Sequence, residues 1–251
     1  MHAHHAFWPS RLPHSITPPA TSLWHNLAIS ALRYPDKPAL VFFGRTLSYR
    51  ELAQGAERLA AQLHALGVQR GDRVVLCMQN CPQLVLAHFA ILRANAVVVP
   101  VNPMNRAEEL KHYITDPDAR VAITTADLAP ELAKASNALP AGQGLRHLVA
   151  TQFTDAFDAP IAGEDAPPEA WHDWLCSAYP LPDLDGGQVH RLRRLLHAVG
   201  ERNHQLRRRA RQMRALIRHQ PVVRVQEVFL GRVIGNNAVI PHLRGDRHFG
   251  D

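Results

Sequence analysis

Apolar positions recur with a helical period from Tyr49 to Leu66. Leu52, Ala56, Leu59, Ala60, Leu63 and Leu66 fall at three- and four-residue spacing and line one face. Ser48 and Glu51 have the S-x-x-E spacing of a capping box, so a helix is predicted to begin at Tyr49, and Gly67 ends it. The pattern then changes. Val74–Met78 is apolar throughout and too short for a helix, which predicts a buried strand. Pro82 suits the first turn of a second helix, where its missing N–H costs nothing. Leu84, Val85, His88, Phe89 and Leu92 are its expected buried face, and Ala96–Val101 is a second buried strand. Two strands apolar on both sides, joined through a helix, predict a parallel sheet covered on both faces.

The flanks extend this alternation. Thr21 or Ser22 is expected to cap a first helix with Leu23, Trp24, Leu27 and Ala31 on its buried side, ended by Pro35. Ala39–Phe43 and Thr46–Ser48 read as a hairpin around Gly44-Arg45. Asn105 and Glu108 form a second capping box for a short helix to Thr115, broken at Asp116-Pro117-Asp118 because the residue before a proline avoids the helical region. Arg120–Thr125 is a third buried strand, Asp127 starts a helix that fades near Asn137, and Leu145–Ala150 is a fourth strand. From Thr151 to Pro182 the pattern dissolves into an acidic, proline-containing loop, with one helical turn docked by Trp171, Trp174 and Leu175. The expected class is α/β: a partial layered parallel sheet with flanking helices, followed by a basic helical tail. The expected organisation is a disordered tail over 1–20, an α/β subdomain over 21–182 and a basic segment over 183–251.

Charge sharpens that last boundary. The chain of 251 residues carries a formal net charge of +6. Residues 1–182 hold 14 Lys+Arg against 16 Asp+Glu, whereas residues 183–251 hold 14 Arg, no Lys and 6 Asp+Glu. The basic excess therefore belongs to the tail alone. Cys77, Cys81 and Cys176 are too few and too irregular for a disulfide framework, which points to a reducing compartment. The N-terminal residues contain no apolar signal core, and the most apolar run, Leu84–Val101, is interrupted by His88, Arg93, Asn95 and Pro100. A cytoplasmic location without a transmembrane segment is the expectation.

An ordered series of motifs resembles the N-terminal part of the AMP-forming acyl-CoA synthetases, within the adenylate-forming ligase superfamily. It comprises Leu47-Ser48-Tyr49-Arg50-Glu51-Leu52, Gly67-Val68 with Gly71-Asp72-Arg73-Val74, and the Asn80-Cys81-Pro82 turn. Val99-Pro100-Val101-Asn102-Pro103, Glu108-Glu109-Leu110 and the passage from Asp116 to Ile123 follow. The resemblance runs from about Thr21 to Asp183. It implies a family reaction in which ATP activates a fatty or other carboxylic acid to an acyl-adenylate that then passes to CoA, with Mg. That chemistry needs a Ser/Thr/Gly loop whose backbone N–H groups hold phosphates and a lysine that neutralises developing charge.

Family members carry that loop near the position of Pro182. Here the chain reads Pro182-Asp183-Leu184-Asp185-Gly186-Gly187-Gln188-Val189-His190-Arg191, no Ser or Thr occurs from Ala178 onward, and no Lys follows Lys134. Gly186-Gly187 reads as a turn. No catalytic, cofactor-binding or metal-ligating residue is therefore assigned, and no cofactor is expected for this chain. Asn102 is given a helix-approach or turn role rather than a ligand contact. Asp72, Arg73, Glu108, Glu109 and Lys111 read as a solvated face. His88 and His112 lack a visible acid or nucleophile partner. His2, His4 and His5 lie on a terminus that would hold no metal geometry.

The tail from His190 to His219 reads as one amphipathic helix. Leu192, Leu196, Val199, Asn203, Leu206, Ala210, Met213 and Ile217 form a heptad-like seam, with Arg207-Arg208-Arg209 on and around the other face. It is compatible with binding nucleic-acid phosphates, a partner helix or an anionic membrane surface. A shifted reading frame is another account. One spelling of Asp183 to Gly187, GAC-CTC-GAC-GGG-GG, reads Thr-Ser-Thr-Gly when displaced by one base. A complementary ligase fragment is a further candidate partner. A sheet cut partway is expected to leave apolar faces uncovered.

Overall fold

The computed structural model describes residues 7–156 and 165–196. The readings made for residues 1–6, for 157–164 and for the tail from 197 onward lie outside the described residues. Helix α1 (Leu23–Arg33) leads into a hairpin of β1 (Pro38–Phe42) and β2 (Arg45–Ser48). Its two-residue turn is Phe43-Gly44, one position earlier than the pattern suggested. Both residues have positive φ, 43° and 72°. Such a turn matches the right-handed twist of the flanking strands.

The central unit alternates strictly. It comprises α2 (Tyr49–Ala65), β3 (Arg73–Cys77), α3 (Pro82–Arg93), β4 (Val97–Val101), α4 (Ala107–Thr115), β5 (Val121–Thr125), α5 (Ala129–Asn137) and β6 (His147–Thr151). A 3-10 turn (Phe153–Ala156), α6 (Glu169–Cys176) and β7 (Gln188–Arg191) complete it. All five central strands pair in parallel in the order β4-β3-β5-β6-β7. The capping box of α2 forms as read: the Ser48 hydroxyl accepts from the Glu51 N–H, and Glu51 accepts from the Ser48 N–H at 2.8 Å.

The continuous apolar runs follow from burial on both faces. Along β3, Val74 and Leu76 enter a core with Leu59, Leu63 and Ile91 of α2 and α3. Val75 and Cys77 enter a second core with Leu110, Ile114 and Leu132 of α4 and α5. Both faces of β3, β5 and β6 are thus covered by the chain's own helices, and the expected uncovered faces do not occur there.

Several local expectations are corrected. In α1 only Leu27 is fully buried, while Leu23 is 59% exposed. The buried stripe of α3 is Gln83, Ala87, Ala90 and Ile91 rather than the larger residues beside it. The helices pack closely: Gly55 of α2 leaves room for Leu86, whose Cδ1 a Cβ there would meet at 2.7 Å. Strand β4 is an edge, with Val97 47% exposed and Pro100 turned outward, as suits a residue without an N–H. The N-cap of α4 is Arg106, not Asn105, and its N–H donates to Glu109 at 2.9 Å. Helix α6 has two turns, with Leu175 buried and Trp171 half exposed.

The largest correction lies past residue 183. The predicted helix from His190 begins instead as β7, which adds a fifth strand beside β6, and the chain turns helical over 192–196. Gly186 makes the preceding turn at φ +67°, and a Cβ on Gly187 would meet the Leu145 carbonyl at 2.8 Å. Leu192 of the heptad-like seam is buried in the α2–α3 core, with Leu196 packed against it.

Candidate functional site

The strand order reverses between β3 and β5: the chain leaves β3 toward β4, then crosses back to β5 on the other side. In open parallel sheets the crevice beyond the strand ends at such a point is the usual ligand position. Here it is filled by side chains. The Thr124 hydroxyl donates to the Cys77 carbonyl at 2.7 Å, tying β5 to β3. Asp127, just past β5, accepts from Trp174 Nε1–H at 2.8 Å, and the indole packs on Phe153 with centroids 4.6 Å apart. Gln83 donates from Nε2 to the Gln152 and Phe153 carbonyls at 2.9 and 3.3 Å. Asp155 accepts from the Thr151 hydroxyl and the Gln152 N–H, both at 3.0 Å. The gap left beside Asp127 and Tyr179 is too small for a water molecule.

Electrostatics at this edge favour neutral thiols. Burial pushes the Cys77 thiol up to about 11, with Asp127 adding to it. Burial likewise raises Cys81 to about 11, partly offset by the Leu84 and Gln83 backbone N–H groups. Neither is a poised nucleophile. Asn102 accepts from the Met104 N–H at 3.0 Å, a turn contact.

A larger cleft of about 580 Å³ opens between α2, α3 and the turn after β6, where Arg45, Glu51, Arg58, Gln83, Asp155 and Arg193 meet. Three of its polar groups are committed to structure: Glu51 to the α2 cap, Gln83 and Asp155 to the β6–α6 passage. Among the described residues no three His, Cys, Asp or Glu side chains gather to hold a metal.

The charges read as a solvated face divide. Glu108 and Lys111 pair at 2.8 Å on the surface. Arg73 instead donates to the Pro117 carbonyl across the sheet edge, and Glu109 closes the α4 cap, so both are structural. His88 and His112 rest edge-on against Phe89 and Tyr113.

One pair escaped the sequence reading. His147 at the start of β6 and His190 in β7 approach with Nδ1 and Nε2 3.2 Å apart. Burial lowers the pKa of both; His190 and Arg146 lower His147 further, and a hydrogen bond to the Leu66 backbone opposes this. Only strand register brings them together, because His147 pairs with Gln188 and His190 with Val149.

An open five-stranded parallel sheet with helices on both faces and a plugged switch point defines a doubly wound α/β scaffold. The model of the AMP-binding enzyme family matches residues 27–190, and the chain belongs to that family, the adenylate-forming ligases, as part of its N-terminal region. The chain is 37% identical over 129 residues to a long-chain-fatty-acid–CoA ligase of Bacillus subtilis, covering 51% of this chain and 23% of that protein. It is 43% identical over 108 residues to a salicyl-AMP ligase / salicyl-S-ArCP synthetase of Mycobacterium tuberculosis, covering 41% of this chain and 19% of that protein. A solved anthranilate CoA ligase in complex with anthranoyl-AMP shares the fold, with a TM-score of 0.50 at 24% identity over 56% of this chain and 27% of that one. The chain thus spans about a quarter or less of the length of these relatives. None of the described helices is long and apolar enough to cross a membrane.

Proposed function

We propose that this chain carries the N-terminal scaffold of an AMP-dependent acid–CoA ligase and does not complete acyl-adenylate formation alone. The carrying observation is the run after β6. Where the family's phosphate loop is expected, Gly186-Gly187 makes a turn into β7, and no hydroxyl-bearing or lysine residue follows. Positioning and charge stabilisation supply most of the rate in phosphate chemistry, and both need those groups.

In this reading the acid substrate is set by residues beyond the scaffold. That agrees with relatives named for both long-chain fatty acids and salicylate. Its working partner is a complementary ligase fragment, and the unpaired thiols Cys77 and Cys81 fit a reducing cytoplasm. The test is acid-dependent ATP–pyrophosphate exchange by the purified full chain with palmitate and with salicylate. No exchange above the acid-free rate is expected, and exchange with either acid would overturn the proposal.

A further inference from the structure

We propose that the contact between His147 and His190 is an acid-sensitive clasp: it holds strand β7 on β6 while at least one ring is neutral, and it lets β7 open when both rings carry a proton. The basis is geometric. His147 and Val149 share one face of β6, and His190 is the register partner of Val149, so its side chain projects to that same face. The rings meet diagonally across the strand pair, with His147 Nδ1 and His190 Nε2 3.2 Å apart and the planes tilted by 47°.

A bond between two imidazoles needs an N–H on one ring and a lone pair on the other. It survives the gain of one proton, because a charged ring still donates to a neutral one. A second proton leaves N–H facing N–H with a positive charge on each ring, and repulsion replaces the bond. Opening of β7 separates the charges and returns both rings to water. Burial lowers both pKa values, and His190 and Arg146 lower that of His147 further. A lowered folded value means that the neutral pair stabilises the strand above the ordinary histidine range and that this contribution is lost as pH falls through the folded values.

The surroundings offer no acid to take up the added charge. On the approach to β6, Arg146 is exposed beside His147. Before β3, Asp72 accepts from the Gln69 N–H and Arg73 donates to the Pro117 carbonyl. Before β5, Asp118 pairs with Arg120 at 2.6 Å. On α2, His64 is bonded to the Val68 carbonyl at 2.9 Å and Glu57 faces Arg93 of α3 at 3.9 Å, while Arg58 lines the larger cleft. Past the pair, Arg191 is held by the Tyr179 carbonyl at 2.6 Å, and Arg193 and Arg194 are exposed. Among the described residues no carboxylate bonds to either ring.

Strand β7 suits such a device. It is four residues long and, among the described residues, pairs with β6 alone, so it opens at less cost than β3 or β5. Its flanks are anchored independently: the Asp185 N–H donates to Asn137 at 2.9 Å, and Leu192 is buried in the core. Opening is therefore confined to Gln188–Arg191.

Amide hydrogen exchange of the full chain, read by mass spectrometry on the peptic peptide across β7 and corrected for the intrinsic pH dependence of exchange, measures that opening. With an ordinary histidine value of about 6.5, the opening constant rises between pH 7.5 and 5.5 about tenfold if opening gains one proton and about a hundredfold if it gains two. The peptide across β3 should keep its protection over the same range. The double variant His147→Gln/His190→Gln keeps hydrogen-bonding side chains without titratable rings, and its β7 protection should not change with pH. A second measurement needs no variant to fold: in NMR titration the two ring signals should move as a coupled pair, with the second midpoint well below about 6.5. Unchanged β7 protection at pH 5.5, a pH dependence that persists in the double variant, or independent titration of both rings at or above about 6.5 would overturn the proposal.

Discussion

Replacing Trp174 by Phe tests whether the strand-end crevice is held shut by its one indole–carboxylate contact. The substitution keeps an aromatic ring on Phe153 and deletes the donor to Asp127, a bond of 2.8 Å. A hydrogen bond to a charged group contributes about 1.5–3 kcal/mol, and the lower end applies because both partners are only partly buried. Asp127 Oδ1 is already buried without a protein partner, so the variant leaves both oxygens unsatisfied. The smaller ring removes about 1 kcal/mol more of apolar burial. The sum, about 2.5 kcal/mol, lowers a urea midpoint by about 1 M at the slope usual for small proteins. Far-UV circular dichroism is the suitable probe, because the substitution removes one of the fluorophores. A double-mutant cycle with Asp127→Ala isolates the contact, with an expected coupling of about 1 kcal/mol or more. A Trp174→Phe midpoint within about 0.3 M of the parent, or strict additivity in the cycle, would refute the reasoning.

Two further outcomes follow from the described contacts. The Glu51 carboxyl is held below its usual range, first by the Ser48 backbone N–H, then by the Ser48 hydroxyl and Arg45, against a small opposing effect of burial. A depressed folded pKa adds stability above the unfolded value and loses it as pH falls through the folded one. Acid titration of the unfolding midpoint should therefore show a loss below about pH 4.5 that Glu51→Gln flattens; an unchanged profile would sink the assignment. For the thiols, Cys176 is exposed, whereas Cys77 and Cys81 are buried and raised to about 11. Iodoacetamide at pH 8 should label Cys176 first and the other two only on unfolding, as mass spectrometry of each peptide would show; early labelling of Cys77 would contradict the packing.

What could be read from the sequence was whatever local physics decides. The Ser48–Glu51 box, the α2 stripe and Pro82 at the start of α3 each depend on residues within one or two turns, and each appears in place. The face of α3 depends instead on how closely α2 approaches, which Gly55 permits, and no period within α3 encodes that. Strand β7 is the clearest case. Gln188-Val189-His190-Arg191 has no strand-like alternation, and the leucines after it carry a helical period. Pairing to β6 outweighs propensity, and Leu192 turns out to be core rather than the start of a free seam. The His147–His190 contact was illegible for the same reason, since register between strands some forty residues apart brings it about.

The same pairing bears on what a partial sheet risks. With both faces of β3, β5 and β6 covered, the liability moves from faces to edges, where unpaired backbone groups template association. At β4 the edge is blunted, because Pro100 has no N–H to offer and interrupts the row of donors that an added strand would need. The edge beyond β7 differs. No proline interrupts Gln188–Arg191, although the Gln188 N–H is already spent on the Arg146 carbonyl at 2.9 Å, and the Arg191 guanidinium is held by the Tyr179 carbonyl. If the proposed complementary fragment adds a strand, the edge among the described residues that suits it is β7 rather than β4.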